Sequence, residues 1–204
     1  MKEFIQTALS YLSTSGHPKC LAVSEQMHVV DLSIKPEHSD SRDGEPSACR
    51  YLIDAFSSAN AIQLAEELAE ANECLVWREG PREVIPSPMH DNHAFVEIIS
   101  PDADYRSDEI RFGVFLMAPN VRYPLHSHSA DEIYIIISGS GQWRSYNAPY
   151  ELKQPGSIVH IPSWEPHAIL SNGEPLLMLW AHFGDIDFEK YRVEQDDFNE
   201  DVDQ

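Results

Sequence analysis

Positive charge is scarce in this chain. Its 204 residues carry 14 Lys and Arg against 34 Asp and Glu, a formal net charge of -20. Nucleic-acid binding normally needs clustered Lys and Arg to neutralise phosphates, so the balance argues against a nucleic-acid partner. An anionic membrane surface is disfavoured for the same reason. Cysteine is sparse too: Cys20, Cys49 and Cys74 show no C-x-x-C spacing. An odd, scattered set reads as free thiols in a reducing compartment rather than as a disulfide framework or a thiolate metal site. No apolar run is long enough to span a bilayer. The N-terminal MKEFIQTALSYLSTSG lacks the form of a signal peptide, because Gln6, Thr7 and Ser10 interrupt its apolar residues and no small-residue cleavage site follows. These absences point to a soluble, cytoplasmic protein.

What is present is an ordinary globular balance, 42% hydrophobic and 24% charged, on a chain long enough for one domain with a sizeable core. Phe4, Ile5, Ala8, Leu9 and Leu12 fall on one face at helical spacing, with Gly16 as the stop. Residues 35–47 are polar and rich in turn formers and read as a loop. A second helical stretch is predicted over about residues 50–73. There Ile62, Ala65, Leu68 and Ala69 make an apolar stripe, with Glu66, Glu67 and Glu70 turned to water.

From residue 75 the character changes. FVEIIS (95–100), RFGVFLM (111–117), EIYIIIS (132–138), SIVHIP (157–162) and LLMLWAHF (176–183) are short runs rich in β-branched and aromatic residues, punctuated by turn formers. Many short strands at turn-like intervals predict an antiparallel sandwich or barrel. The expected division is an N-terminal helical segment packed on the barrel (1–74), the barrel itself (75–192) and an acidic tail (193–204). The last eleven residues carry six acids and no base, which predicts a solvated, frayed end.

The chemistry concentrates in His126-Ser-His128-Ser-Ala-Asp-Glu132, followed by six residues and Gly139. Histidines two apart point the same way on an extended strand. A short turn could bring Glu132, at the head of the next run, back beside them. Pro162-Ser-Trp-Glu-Pro-His167 supplies a fourth donor from a second hairpin. Together the segments resemble the two cupin motifs, H-x-H-x3-E-x6-G and G-x5-P-x4-H, with Trp164 where the second usually has Gly. A lone His-x-His is most often a pair of surface or core histidines. Four ligand-type residues at both spacings favour a site for one divalent metal, and this donor set suits Fe(II), Mn(II), Ni(II) or Zn(II). His90 and His93 lie in a Pro-rich loop and read as solvated. The parity of His160 relative to His167 is not fixed across the intervening turn.

Tyr134 follows Glu132 by two residues, so strand alternation turns it to the same face. A phenol near a dication loses its proton far below its reference value of about 10 and becomes a candidate general base. Tyr123 precedes the first histidine. Most tyrosines are packing residues, and Tyr134 stands apart because a candidate ligand fixes its direction.

The stretch from about Tyr123 to Asp185 (YPLHSHSADEIYIIISGSGQWR, PGSIVHIPSWEPHAI, EPLLMLWAHFGDI) resembles the cupin-type dimethylsulfoniopropionate (DMSP) lyases. The resemblance implies a mainly β fold, a cupin jelly-roll barrel behind an N-terminal helical segment. It implies β-elimination of a small-molecule substrate, DMSP, to dimethyl sulfide and acrylate. It makes Tyr134 the base, gives Tyr123 an orienting role, and assigns His126, His128, Glu132 and His167 to the metal. Trp143, Trp164, Trp180 and His182 become candidates for substrate binding, since aromatic faces attract a desolvated sulfonium. His182 departs from the pattern, in which a second aromatic is common; a charged imidazole facing the pocket would oppose a sulfonium. The residues alone leave open another metal-dependent cupin reaction on a small carboxylate (dioxygenation, isomerisation or a different elimination), or a non-catalytic binding cupin. Many cupins dimerise, which leaves a homodimer open.

Overall fold

The computed structural model describes residues 1–33, 44–59, 62–146 and 148–195. The acidic tail beyond Gln195 and most of the 35–47 loop lie outside them. Helix α1 (Lys2–Thr14) buries Phe4, Ile5, Ala8 and Leu12, and Gly16 follows it at φ +73. Helix α2 (Pro18–His28) lies within the expected helical segment and buries Cys20, Val23, Ser24 and Met27, which share one face at helical spacing.

The expected 50–73 helix is broken into a 3-10 turn (Ser47–Tyr51), α3 (Leu52–Ser57), α4 (Ile62–Ala71) and a second 3-10 turn (Asn72–Cys74). On α4 the buried residues are Leu64, Ala65, Leu68 and Ala71. Ala69 is exposed, so the stripe is rotated from the one expected. Among the described residues no helix is long and apolar enough to cross a membrane.

Among the described residues eleven strands follow: β1 (His93–Ser100), β2 (Tyr105–Arg106), β3 (Ile110–Met117), β4 (Arg122–Ser127), β5 (Ala130–Ser138), β6 (Gly141–Ser145), β7 (Glu151–Lys153), β8 (Ile158–Ile161), β9 (His167–Ser171), β10 (Leu176–Gly184) and β11 (Arg192–Val193). They form a six-stranded sheet, β2-β1-β3-β10-β5-β8, and a five-stranded sheet, β11-β4-β9-β6-β7. Each of the five β-rich runs lies on one of these strands. The fold is the mainly β cupin jelly roll with helices ahead of it.

The larger sheet is buried on both faces, and that explains its continuous apolar runs. Ile133, Ile135 and Ile137 of β5, with Leu177, Leu179 and Ala181 of β10, share one core with the N-terminal helices through residues such as Phe4, Leu12 and Leu68. Tyr134 and Ile136, with Met178 and Trp180, point the other way into a second core between the sheets. Strand parity therefore sends Glu132, Tyr134, Trp180 and His182 inward as one set. Gly139 ends β5 at φ +71, where an added Cβ would stand 2.1 Å from the Pro175 carbonyl oxygen. Only glycine fits that approach.

Candidate metal centre and its cavity

Strand pairing assembles the candidate donors from three segments. The β4–β9 ladder sets His126 opposite His167. The β5–β10 ladder sets Glu132 opposite His182 and Tyr134 opposite Trp180. The short connection between β4 and β5 carries His128 back over Glu132. The two motif loops are pinned together: the Trp164 N–H donates to the His128 carbonyl at 2.8 Å, and the Ser163 hydroxyl donates to the Ser129 carbonyl at 2.6 Å. His126, His128, Glu132 and His167 are all buried.

Each of the three histidines is oriented by a backbone carbonyl two residues away. Nδ1 of His126 meets the Pro124 oxygen at 2.8 Å, that of His128 the Ala130 oxygen at 3.1 Å, and that of His167 the Glu165 oxygen at 2.9 Å. A carbonyl only accepts, so Nδ1 carries the hydrogen and the neutral ring presents an Nε2 lone pair. His128 Nε2 lies 3.1 Å and His167 Nε2 3.4 Å from Glu132 Oε2. His167 Nε2 has no hydrogen-bond partner among the described residues although the side chain is fully buried. The Nε2 atoms of His128 and His167 thus face one oxygen of a buried carboxylate, an arrangement a cation satisfies.

The electrostatics agree. Burial, and then the neighbouring His167, push His126 well below the ordinary imidazole range. Burial also works against protonation of His128, but the hydrogen bond and charge of Glu132 outweigh it and raise this ring above the ordinary imidazole range. Glu132 resists its own burial because the surrounding imidazoles, His182 first, hold it ionised well below the usual carboxylate range. Donor atoms of His126, His128 and His167 lie within 4.8 Å of one another, and so do those of His128, Glu132 and His182. The residues fit a divalent metal; three imidazoles and a carboxylate do not select one.

The centre opens into a cavity of about 260 Å³ between the sheets. His126, His128, Glu132, Tyr123, Tyr134, Trp180 and His182 form its floor and walls. Phe95, Phe115, Phe188 and Tyr191 widen the aromatic wall, and Gly80, Pro81, Val84 and Ile85 cross the mouth. Burial, together with the Glu132 charge, pushes the Tyr134 phenol well above its ordinary value. Burial raises Tyr123 in the same way, with Tyr191 and Tyr134 adding to it. His182 is held below the usual imidazole range by burial, against the pull of Glu132.

Two substrate-binding candidates fall elsewhere. Trp143 is buried behind Tyr134, their ring centroids 6.1 Å apart, and does not line the cavity. Trp164 is 40% exposed on the motif loop, with the Arg192 guanidinium 4.4 Å over its ring. Its backbone keeps the left-handed conformation, φ +61, that glycine would adopt freely.

His93 corrects the loop reading: it lies on β1, buried, and lines the cavity. Its Nε2 accepts from the Gly80 N–H at 3.0 Å and its Nδ1 donates to the Met89 carbonyl at 2.7 Å, tying down the segment across the mouth. His160 pairs with Ile133, hence faces away from the centre, and meets Asp131 at 2.8 Å. Phe95 and Phe115 carried the same period-two signal as the ligands. Phe188 opens a 3-10 turn (Phe188–Lys190) and Tyr191 follows it, where strand parity does not apply.

Two mainly antiparallel sheets closed face to face around a His/Glu cluster define the protein as a cupin. Within that class, the sequence profile of the dimethylsulfoniopropionate lyase family matches residues 23–178, and the chain belongs to this family of carbon–sulfur lyases. It is 31% identical over 164 residues to the dimethylsulfoniopropionate lyase DddQ of Ruegeria pomeroyi, covering 78% of this chain and 75% of that one. The crystal structure of DMSP lyase DddQ from Ruegeria pomeroyi DSS-3 has the same fold, with TM-score 0.71 and 22% identity over 93% of this chain and 95% of its own. A crystal structure described with the DMSP lyases RdDddP and RnDddQII agrees equally, with TM-score 0.71 and 20% identity over 94% of this chain and 100% of its own.

Proposed function

We propose that this protein splits dimethylsulfoniopropionate into dimethyl sulfide and acrylate by β-elimination, with Tyr134 as the base and one divalent metal held by His126, His128, Glu132 and His167. The observation that carries the reading is the meeting, in a chain of this family, of His126, His128 and Glu132 and two tyrosines on one aromatic-walled cavity of about 260 Å³, with His167 buried against Glu132. A small zwitterion suits such a space. Its carboxylate end has the donor cluster. Its sulfonium end has the faces of Trp180, Phe115 and Phe188, and a desolvated cation gains about 2 kcal/mol or more on such faces.

A divalent cation there would act as a Lewis acid on the substrate carboxylate, stabilising charge developing at the α-carbon and offsetting the Glu132 charge that keeps Tyr134 protonated. Tyr134, as phenolate, takes the α-proton. The electron pair of that C–H bond becomes the C=C bond, and the Cβ–S bond breaks with its pair leaving on sulfur as neutral dimethyl sulfide. No acid is needed for a leaving group that departs uncharged. Tyr123, stacked on His126, orients the substrate carboxylate. The hydrophobic wall excludes water that would otherwise compete for the base.

Purified protein stripped of metal and reloaded in turn with Fe(II), Mn(II), Ni(II) and Zn(II) should release dimethyl sulfide from DMSP, read by gas chromatography of the headspace. Silence with all four metals would reject the assignment.

A further inference from the structure

His182 makes a contact that separates it from the three histidines assigned to the metal. Its Nε2 lies 3.0 Å from Glu132 Oε1, while Glu132 Oε2 faces His128 and His167. A carboxylate only accepts, so Nε2 of His182 carries the hydrogen. The other three rings instead give Nδ1–H to a backbone carbonyl, and the Nε2 atoms of His128 and His167 turn to the other oxygen, Oε2. No carbonyl holds Nδ1 of His182 among the described hydrogen bonds. The ring is fixed by packing instead: Trp180 stands edge-on at 5.1 Å and Phe188 at 5.6 Å. Phe188 is itself covered by the Arg111 guanidinium at 4.3 Å, and Arg111 is anchored to Glu97 at 2.8 Å. His182 and Glu132 are direct cross-strand partners, so the contact is set by the sheet register and not by a mobile loop.

We propose that His182 is a positioning residue that clamps Oε1 of Glu132, so that Glu132 presents Oε2 alone to the metal. The proposal rests on the metal-site reading above and deepens it. Each oxygen of the carboxylate then has one task, and the clamp leaves room on the metal for a substrate carboxylate that a two-oxygen Glu132 would obstruct. His182 also supplies the N–H for this hydrogen bond, which a phenylalanine of similar bulk lacks.

The test uses metal affinity and tautomer, neither of which needs turnover. Wild type, His182→Phe and His182→Gln are titrated with Zn(II) against a competing chelator, with far-UV circular dichroism to verify folding. Loss of a hydrogen bond to a ligating carboxylate costs roughly 10–100-fold in metal affinity. His182→Phe should show that loss, and His182→Gln, which keeps an N–H donor, should recover most of it. Long-range ¹H–¹⁵N correlation of the Zn(II)-loaded wild type should show Nε2 of His182 bearing hydrogen, the signal being assigned by its absence in His182→Gln. If that nitrogen is metal-bound, His182 is a ligand and the clamp is wrong. Equal affinity of His182→Phe and wild type also overturns it while leaving the metal site standing. Absence of any Zn(II) binding by wild type overturns the metal reading as well. Should His182→Phe fail to fold, the tautomer and the glutamine variant still decide.

Discussion

The ring of Tyr123 lies flat on that of His126, their centroids 3.9 Å apart and their planes within 12°, although the two residues are three apart on one strand. Strict alternation would put them on opposite faces. The β4–β9 register explains the contact: Tyr123 pairs with Ile169 and His126 with His167, so three steps on β4 match two on β9. The extra residue is a β-bulge at Pro124–Leu125, and proline suits such a site because it has no N–H to give to the ladder. The bulge is the device that brings a second tyrosine to the cavity.

Tyr134→Phe removes the proposed base and nothing else of similar size. General base catalysis contributes about 10²–10⁴-fold, so dimethyl sulfide release should fall by that range. Zn(II) affinity of the variant should stay near that of wild type. A variant that keeps wild-type turnover would move the base role to another group.

Metal removal should lower thermal stability. A ligand at 100 times its dissociation constant stabilises the folded state by about 2.7 kcal/mol. For a chain of this length each kcal/mol moves the melting point by about 2–4 °C. Scanning calorimetry should therefore show a fall of about 5–10 °C on chelation, reversed by adding the ion back. The triple variant His126→Ala, His128→Ala, His167→Ala should show no chelator effect.

Acid should destabilise the metal-free protein partly through Glu132. Its carboxyl is held well below the ordinary range in the fold, against its burial, by the imidazoles around it. Below the unfolded value of about 4.3 the unfolded chain therefore binds more protons than the folded one. The stabilisation is present above that value and is lost as pH falls through the folded value. Urea midpoints measured from pH 5 downward should fall less steeply in Glu132→Gln than in wild type.

The tryptophans should separate by location. Trp180 lines the cavity, and loss of a sulfonium contact worth about 2 kcal/mol corresponds to about 30-fold in affinity. Trp180→Ala should raise KM for DMSP by about that factor. Trp164→Gly should leave KM near wild type. It should also hold or raise the melting point, because a left-handed non-glycine residue costs about 1–2 kcal/mol, against about 0.5–1 kcal/mol for the exposed Arg192 contact that is lost.

The sequence by itself determined the class of fold and the core of the site. Spacing alone brought out His126, His128, Glu132 and His167, because motif geometry and period-two alternation act within a few residues of the chain. Parity also sent Tyr134 inward with Glu132. What only the tertiary structure decided came from elements distant in sequence or from broken alternation. The bulge at Pro124–Leu125 turned Tyr123 to the cavity, and a bulge is invisible to a rule that assumes a regular strand. The pairing of β5 with β10 put His182 on Glu132 across 50 residues, and no local pattern carries a cross-strand register. Trp143 and Trp164 are candidate substrate contacts through the family resemblance, yet one packs behind Tyr134 and the other rides on the surface, because where an aromatic ring points depends on what the rest of the fold packs against it.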